Sequence, residues 1–185
     1  MEISKFKDIF TAAGVYRNVS RESLRKLLET ALKQSKDTDY MIIFRSDFLI
    51  SLKQVHVAAV SSVLAFRSNK NIARNLAIEF MLRLSADTQI NRVLEKVMVR
   101  DDLREIGVLI ISSNLDRLQK LMVEVGSIVD GEEMHEEDLH LEERLRRAVE
   151  FYGLTDYMKS IQTRDLYESV LLSILEKITT IDVER

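Results

Sequence analysis

Apolar residues recur along this chain with two spacings, and each spacing predicts a different element. Where they return every three or four positions, an amphipathic helix is expected, because 3.6 residues complete one turn. Ser20 is suited to cap the first such segment, since its hydroxyl can accept hydrogen bonds from the free amides of a helix start. The predicted helices are roughly Arg21–Gln34, Leu52–Arg67, Ile72–Ser85, Thr88–Val97, Leu115–Val125, Glu136–Tyr152 and Asp165–Thr179.

Short runs rich in β-branched and aromatic residues predict strands instead. They lie within Phe10–Val19, at Tyr40–Phe44 and at Glu105–Ser112. Proline is absent from all 185 residues, which removes the commonest helix breaker, so helices are expected to dominate. The predicted class is α+β: a single domain, residues 1–185, with a small central sheet packed by several helices.

The composition excludes several classes of protein. Cysteine is absent, so the chain offers no disulfide, no thiolate zinc site and no cysteine nucleophile. The N-terminal MEISKFKDIF does not have the form of a secretory signal, and no apolar run reaches the roughly 18 residues of a membrane span. We therefore expect a cytoplasmic protein that does not enter a membrane.

The net charge of −3 conceals an uneven distribution. Residues 1–100 contain 17 Lys and Arg against 10 Asp and Glu, whereas residues 101–185 contain 10 against 20. A basic region can bind an anion locally even in a protein with a pI near 5.7. A protein that grips nucleic acid along its length would be far more basic, so no DNA partner is expected.

One stretch is basic although the protein is acidic. Residues 48–78 contain no acid at all, and Arg67, Lys70 and Arg74 crowd a short polar turn within them. We call residues 67–74 the elbow. It is a candidate site for a phosphate-sized anion, and the alternative is an ordinary solvated turn between helices.

The predicted helix after the elbow strengthens the anion hypothesis. Asn69 or Asn71 is expected to cap a helix that begins near Ile72, leaving amides at its start that the cations would flank. On this helix Glu79 precedes Arg83 by four residues, an order that predicts an ion pair worth only ~0.3–0.5 kcal/mol if exposed.

Few residues favour catalysis or metal binding. The five glycines do not form a nucleotide-binding motif, and no nucleophile turn of the form G-x-S-x-G occurs. His135 and His140 are five residues apart in HEEDLH, so they would not share a helical face as in H-E-x-x-H. His56 lies in an apolar helix, where a core histidine is expected rather than a catalytic base. We expect no catalytic residue, no metal and no cofactor.

Four segments of the chain resemble a known family. They are VHVAAVSSVLAF, NKNIARNLAIEFMLRLS, TQINRVLEKV and the closing LLSILEKITTIDVER. The resemblance is to the small kinase-associated subunits of the KEOPS complex, the family that includes the PRPK-binding protein TPRKB. It covers most of residues 15–125 and again 165–183. It implies an α+β, non-catalytic subunit that binds the small atypical kinase/ATPase of KEOPS and helps hold tRNA through its 3′ CCA end. The complex makes threonylcarbamoyladenosine, the transfer being done by another subunit.

The chain departs from the family pattern in two places. Where the family usually reads Ser-Gly-x-Arg-Gln-Ile, residues 85–90 read SADTQI and lose both a flexible turn residue and a cation. The acidic stretch Asp130–Glu143, with eight acids and no Lys or Arg, exceeds the family core. We interpret this insertion, about residues 130–150, as a solvated loop that enters a helix and packs as an extra layer.

The resemblance and the residue patterns together name two sets of binding residues. For tRNA they are Arg67, Lys70, Asn71 and Arg74. The closing helix has apolar residues on more than one face, so part of it is expected to meet another protein, although it could instead complete the core. The residues predicted to bind the kinase partner are Leu172, Leu175, Ile178, Ile181 and Val183.

Three hypotheses follow from these observations. The first is a KEOPS adaptor that binds the kinase and the tRNA 3′ end. The second is a structural interaction subunit without RNA contact. The third is a metal-dependent hydrolase that uses His135, His140 and nearby acids.

Overall fold

The structure, a computed structural model, describes residues 1–34, 39–100, 102–156 and 165–181. These residues form two compact units. The first consists of Met1–Ser46 and Lys96–Met134, and the second of the described residues in Asp47–Glu95 and His135–Arg185. The first unit contains a sheet with two helices and the second is built of helices, so the predicted α+β class is confirmed.

The first unit is a five-stranded antiparallel sheet with two helices. Four strands run in the order β1-β2-β4-β3, and β5 pairs with β2 at Val15–Arg17, beyond the part of β2 that pairs with β1. The elements are β1 (Glu2–Phe6), β2 (Ile9–Arg17), α1 (Arg21–Gln34), β3 (Tyr40–Arg45), β4 (Ile106–Ser112), α5 (Leu115–Ile128) and β5 (Glu132–Met134).

Apolar side chains at helical spacing join these two helices to the sheet. Leu24 and Leu27 of α1 are buried in the same cluster as Leu118 and Leu121 of α5 and the strand residues that alternate toward them. At Gly107 of β4 a Cβ atom would lie 2.3 Å from the ring of Phe44, so only glycine leaves room for this buried aromatic side chain.

The second unit is helical. The closing helix, α8 (Leu166–Thr180), packs against α2 (Leu52–Arg67), α3 (Leu76–Leu84) and α7 (Glu142–Phe151). Of the described helices, none combines the length and the apolar character that crossing a membrane requires. The elements are α2 (Leu52–Arg67), α3 (Leu76–Leu84), α4 (Ile90–Val97, whose last two residues belong to the first unit), α6 (Glu136–Leu139), α7 (Glu142–Phe151) and α8 (Leu166–Thr180).

Most element predictions are confirmed and two are wrong. The third predicted helix begins at Leu76 rather than near Ile72. The segment Glu136–Tyr152 is two helices rather than one, because the chain leaves helical geometry at His140 and Leu141. The sequence patterns also missed β1, which is largely exposed on both faces, and β5, whose acidic residues have low strand propensity.

Three helices of the second unit end in the same C-terminal motif. After α2, α3 and α7, one residue adopts a left-handed conformation: Asn69 (φ 54), Ala86 (φ 48) and Gly153 (φ 63). In each case the next amide reaches back five residues, as Lys70 N does to Ala65 O at 2.8 Å. These are Schellman motifs, in which glycine is the preferred left-handed residue and asparagine is the usual alternative.

Exchanging glycine and alanine at these positions should change stability in opposite directions. A residue with a Cβ atom loses about 1–2 kcal/mol in left-handed geometry, and glycine's greater freedom in the unfolded chain offsets about half of this. We expect Ala86→Gly to raise the free energy of unfolding by about 0.5–1 kcal/mol and Gly153→Ala to lower it by about as much. Among the described residues, no atom beyond the chain neighbours of Gly153 lies within 4 Å of a Cβ placed there, so a steric clash with them does not confuse the comparison. Urea unfolding measures both changes, and two shifts of the same sign would contradict the motif assignment.

Candidate binding surfaces

The structure places the four residues predicted to bind tRNA at the end of α2 and in the loop that follows it. Arg67 ends α2, and the chain then passes through Lys70, Asn71 and Arg74 before α3 begins. The three cations are exposed and Asn71 is half-buried. For Lys70 and Arg74, no ion-pair partner is found among the residues that the structure describes. Their charges therefore face solvent at the elbow.

The cap of α3 differs from the prediction. Asn75 caps the helix, and its Oδ1 accepts from Ala77 N at 2.8 Å and Ile78 N at 3.3 Å. Asn69 instead holds the left-handed position after α2, and Asn71 donates from Nδ2 to Ala73 O at 2.8 Å. Ile72 and Ala73 were predicted to begin the helix because they continue its apolar pattern, but in the structure they lie in a bend before it.

A buried carboxylate holds that bend. Oε2 of Glu79 accepts from Ile72 N at 2.7 Å and from Ala73 N at 2.8 Å, while Oε1 accepts from Arg83 Nε at 2.9 Å. The predicted ion pair of Glu79 and Arg83 therefore forms, but its side chains are 0% and 1% exposed, so the low energy of an exposed pair does not apply to it. The amides predicted to be open for an anion are saturated by this carboxylate. An anion at the elbow would be held by side chains.

The turn after α3 has an alanine at its left-handed position. Ala86 adopts the left-handed geometry that glycine would adopt there. Asp87 accepts from Gln89 N at 3.0 Å and pairs with Arg92 at 2.6 Å. The nearest cation beyond this turn is therefore neutralised, which leaves the elbow as the basic part of this region.

The predicted partner-binding residues divide between the inside and the outside of the second unit. Ile178 and Ile181 are buried, together with Val170, Leu171 and Ile174 of the same helix. Leu172 is 60% exposed, and the half-buried Leu175 follows it by three residues on the same helical face. Val183 lies outside the described residues. Leu172 and Leu175 thus offer apolar surface, and Ile178 and Ile181 support the helix from beneath.

The three histidines do not belong to either predicted set of binding residues. His56 is buried on α2, and burial lowers its pKa to about 4, so it is neutral at pH 7. His135 precedes α6, with its backbone amide donating to Asp138, and the ring of His140 lies tilted by 49° against that of Tyr167, with ring centroids 4.3 Å apart. No group of three or more His, Asp or Glu side chains in the described part of the chain has the arrangement of a metal site.

The acids of the inserted segment are largely used within their own units. In the first unit, Glu132 pairs with Arg17 at 2.9 Å and Asp130 accepts from Ser20 N at 3.0 Å. In the second unit, Glu136 binds the hydroxyl of Ser51 and accepts from Leu52 N at the start of α2. Glu142 and Glu143, in the first turn of α7, form ion pairs with Arg146 and Arg147 one turn later in the same helix. Acids at the helix start and arginines within the helix are what the sequence predicted.

The fold and the two surfaces define the class of protein: an α+β protein whose exposed basic loop and exposed apolar helix face are suited to binding. A model of the family described as Kinase binding protein CGI-121 matches residues 16–180. The chain belongs to this family, the TPRKB family of KEOPS subunits, as the resemblance predicted. No curated protein gives a significant match to the chain. The family supports a kinase-binding role.

Sequence reasoning missed the residue that shapes the elbow. Glu79 was assigned to an ordinary helix pair, and its contacts with two backbone amides were not foreseen. The available signal was its isolation: it is the first acid after thirty-one residues without one, in the apolar segment LAIEFMLRL. An acid in such a setting is buried only when it is paired and hydrogen-bonded.

Proposed function

We propose that this protein is a non-catalytic adaptor that binds the small atypical kinase/ATPase of KEOPS and helps recruit tRNA through its 3′ CCA end. The recruited tRNA would be the substrate for threonylcarbamoyladenosine formation by the complex, in the cytoplasm. Membership of a kinase-binding family supports the first half of this proposal. The second half rests on the elbow.

The observation that supports tRNA binding is a hydrogen-bonded loop with exposed cations. Lys70 directly follows the left-handed residue of the Schellman motif, and Arg74 follows the two amides that Glu79 binds. Three cations on a short loop suit one or two phosphates of a single-stranded end better than a long duplex. Because the loop is already ordered, little conformational entropy is lost when RNA binds.

The test compares intact tRNA with tRNA trimmed of its CCA end. If the elbow holds the end through two or three charge-assisted contacts, trimming should weaken binding at least about tenfold. Gel shifts or fluorescence titrations at fixed salt measure the ratio. Equal affinity for the two RNAs would contradict recognition of the end. Absence of binding to either RNA, with kinase binding intact, would favour the alternative of a structural interaction subunit.

The kinase-binding surface is tested at Leu172. We expect Leu172→Glu to weaken binding to the kinase at least about tenfold, because a charge would replace an apolar contact at the interface. Its unfolding free energy should change by less than about 0.5 kcal/mol, since the side chain is mostly exposed. Calorimetry with the purified kinase measures the affinity.

A matched control is available in the first unit. Leu32 of α1 is 80% exposed, and Leu32→Glu makes the same change of side chain there. It should leave kinase affinity unchanged. Equal weakening by both variants, or by neither, would move the interface away from α8. Ile181→Glu is unsuitable for this test, because Ile181 is buried and the change would damage the fold.

A further inference from the structure

We propose that Glu79 is a positioning residue for tRNA binding: its buried carboxylate fixes the elbow in the shape that presents Lys70 and Arg74 to RNA. This inference rests on the proposed function and adds to it a residue that does not itself touch RNA. Glu79 is fully buried, whereas the two cations are exposed.

The contacts of Glu79 lie between the two cations in the sequence. Ile72 and Ala73, whose amides it accepts from, are the residues that separate Asn71 from Arg74. The flanks of the elbow are held independently, by the Schellman motif at Lys70 and by the cap at Asn75. Among the described residues, the hydrogen bonds in the middle of the loop are those to Glu79 and the one from the Asn71 side chain, and Ala73 is also buried there.

The negative charge of Glu79 is neutralised by Arg83, so we expect it not to weaken anion binding at the elbow. Oε1 is bound by Arg83 Nε at 2.9 Å, so the buried pair carries no net charge. A lone carboxylate beneath the elbow would repel phosphate and cancel one of the cations. The paired carboxylate holds the backbone and leaves the positive field of Lys70 and Arg74 in place.

The experiment uses two double variants that carry the same charge. Glu79→Met with Arg83→Met replaces the pair by apolar side chains of similar length, a change that proteins often tolerate, and removes every acceptor for the two amides. Glu79→Gln with Arg83→Met has the same net charge but restores one acceptor oxygen. If the Met/Met variant does not fold, Glu79→Asp serves in its place. It keeps the charge but shortens the side chain by one methylene, which should weaken the hydrogen bonds from the Ile72 and Ala73 amides.

The readouts are hydrogen exchange at the amides of Ile72 and Ala73 and affinity for intact tRNA. We expect the Met/Met variant to lose protection at both amides and to bind tRNA about tenfold more weakly, with kinase affinity unchanged. The Gln/Met variant should recover protection and come within about threefold of wild type.

Three results would overturn the inference. Retained protection in the Met/Met variant would mean that Glu79 does not hold the loop. Lost protection with unchanged tRNA affinity would mean that it holds the loop without positioning the cations. Absence of tRNA binding by the wild type would overturn the proposed function as well. This result is distinguished from the first two because it is seen in the wild type, whereas they are seen only in the Met/Met variant.

Discussion

Glu79→Ala should lower the free energy of unfolding by about 3–5 kcal/mol, as measured by urea unfolding of the otherwise intact chain. The substitution leaves the Arg83 guanidinium buried without the carboxylate that neutralises it. It also removes the acceptor of the Ile72 and Ala73 amides. Buried charges and buried amides both cost stability when their partners are removed, so the two losses act in the same direction.

An exposed pair of the same kind supplies the control. Glu142 and Arg146 also stand four residues apart on a helix, but their side chains are 78% and 77% exposed. Glu142→Ala should therefore cost less than about 1 kcal/mol, because solvent already screens the pair. A similar loss in both variants, or a loss below 1 kcal/mol at Glu79, would contradict the burial of the Glu79–Arg83 pair.

The second large effect is expected at the elbow. Changing Lys70 and Arg74 together to Glu should reduce tRNA affinity by about 10²–10⁴-fold, since each charge-assisted contact contributes about 1.5–3 kcal/mol. Kinase affinity and the urea midpoint should stay close to those of the wild type, because both side chains are exposed. Fluorescence titration with intact tRNA measures the loss.

The control for net charge is a double reversal elsewhere. Lys33 of α1 and Lys120 of α5 are exposed, and changing both to Glu alters the total charge by the same amount. That variant should retain most of its tRNA affinity. If the two double variants lose affinity equally, overall charge rather than the elbow governs binding.

The salt dependence of wild-type binding gives an independent measure of the number of contacts. Each neutralised phosphate on a single strand releases about 0.7 counterion, so two or three contacts predict a log-log slope of about −1.4 to −2.1. A much steeper slope would indicate a longer RNA interface than the elbow provides.

The sequence predicted those elements whose local pattern agrees with their packing. Ser20, for example, caps α1 as expected, with its Oγ accepting from Ser23 N at 3.1 Å. The start of α3 was misplaced because Ile72 and Ala73 extend the apolar pattern of the following helix, whereas their conformation is set by Glu79, seven and six positions away. Propensity describes only local preference, and a buried carboxylate can override it.

The sequence predicted which residues form the elbow but not the contacts that determine its conformation. The four elbow residues come together because they are neighbours in the sequence, so their grouping required no tertiary information. Which amides were open and whether the ion pair was buried depended on how α3 packs, and neither could be read from spacing. The same applies to α8, where apolar residues on several faces did not reveal that Leu172 is mostly exposed while Ile178 and Ile181 are buried.

The most direct test of the central claim is a chemical-shift titration of isotopically labelled protein with a short single-stranded RNA that ends in CCA. We predict that amide resonances of residues 67–74 shift first and most, and that an RNA of equal length without the CCA end produces much smaller shifts at the same concentration. Shifts confined to other surfaces, or identical responses to the two RNAs, would contradict the proposal that the elbow binds the tRNA end.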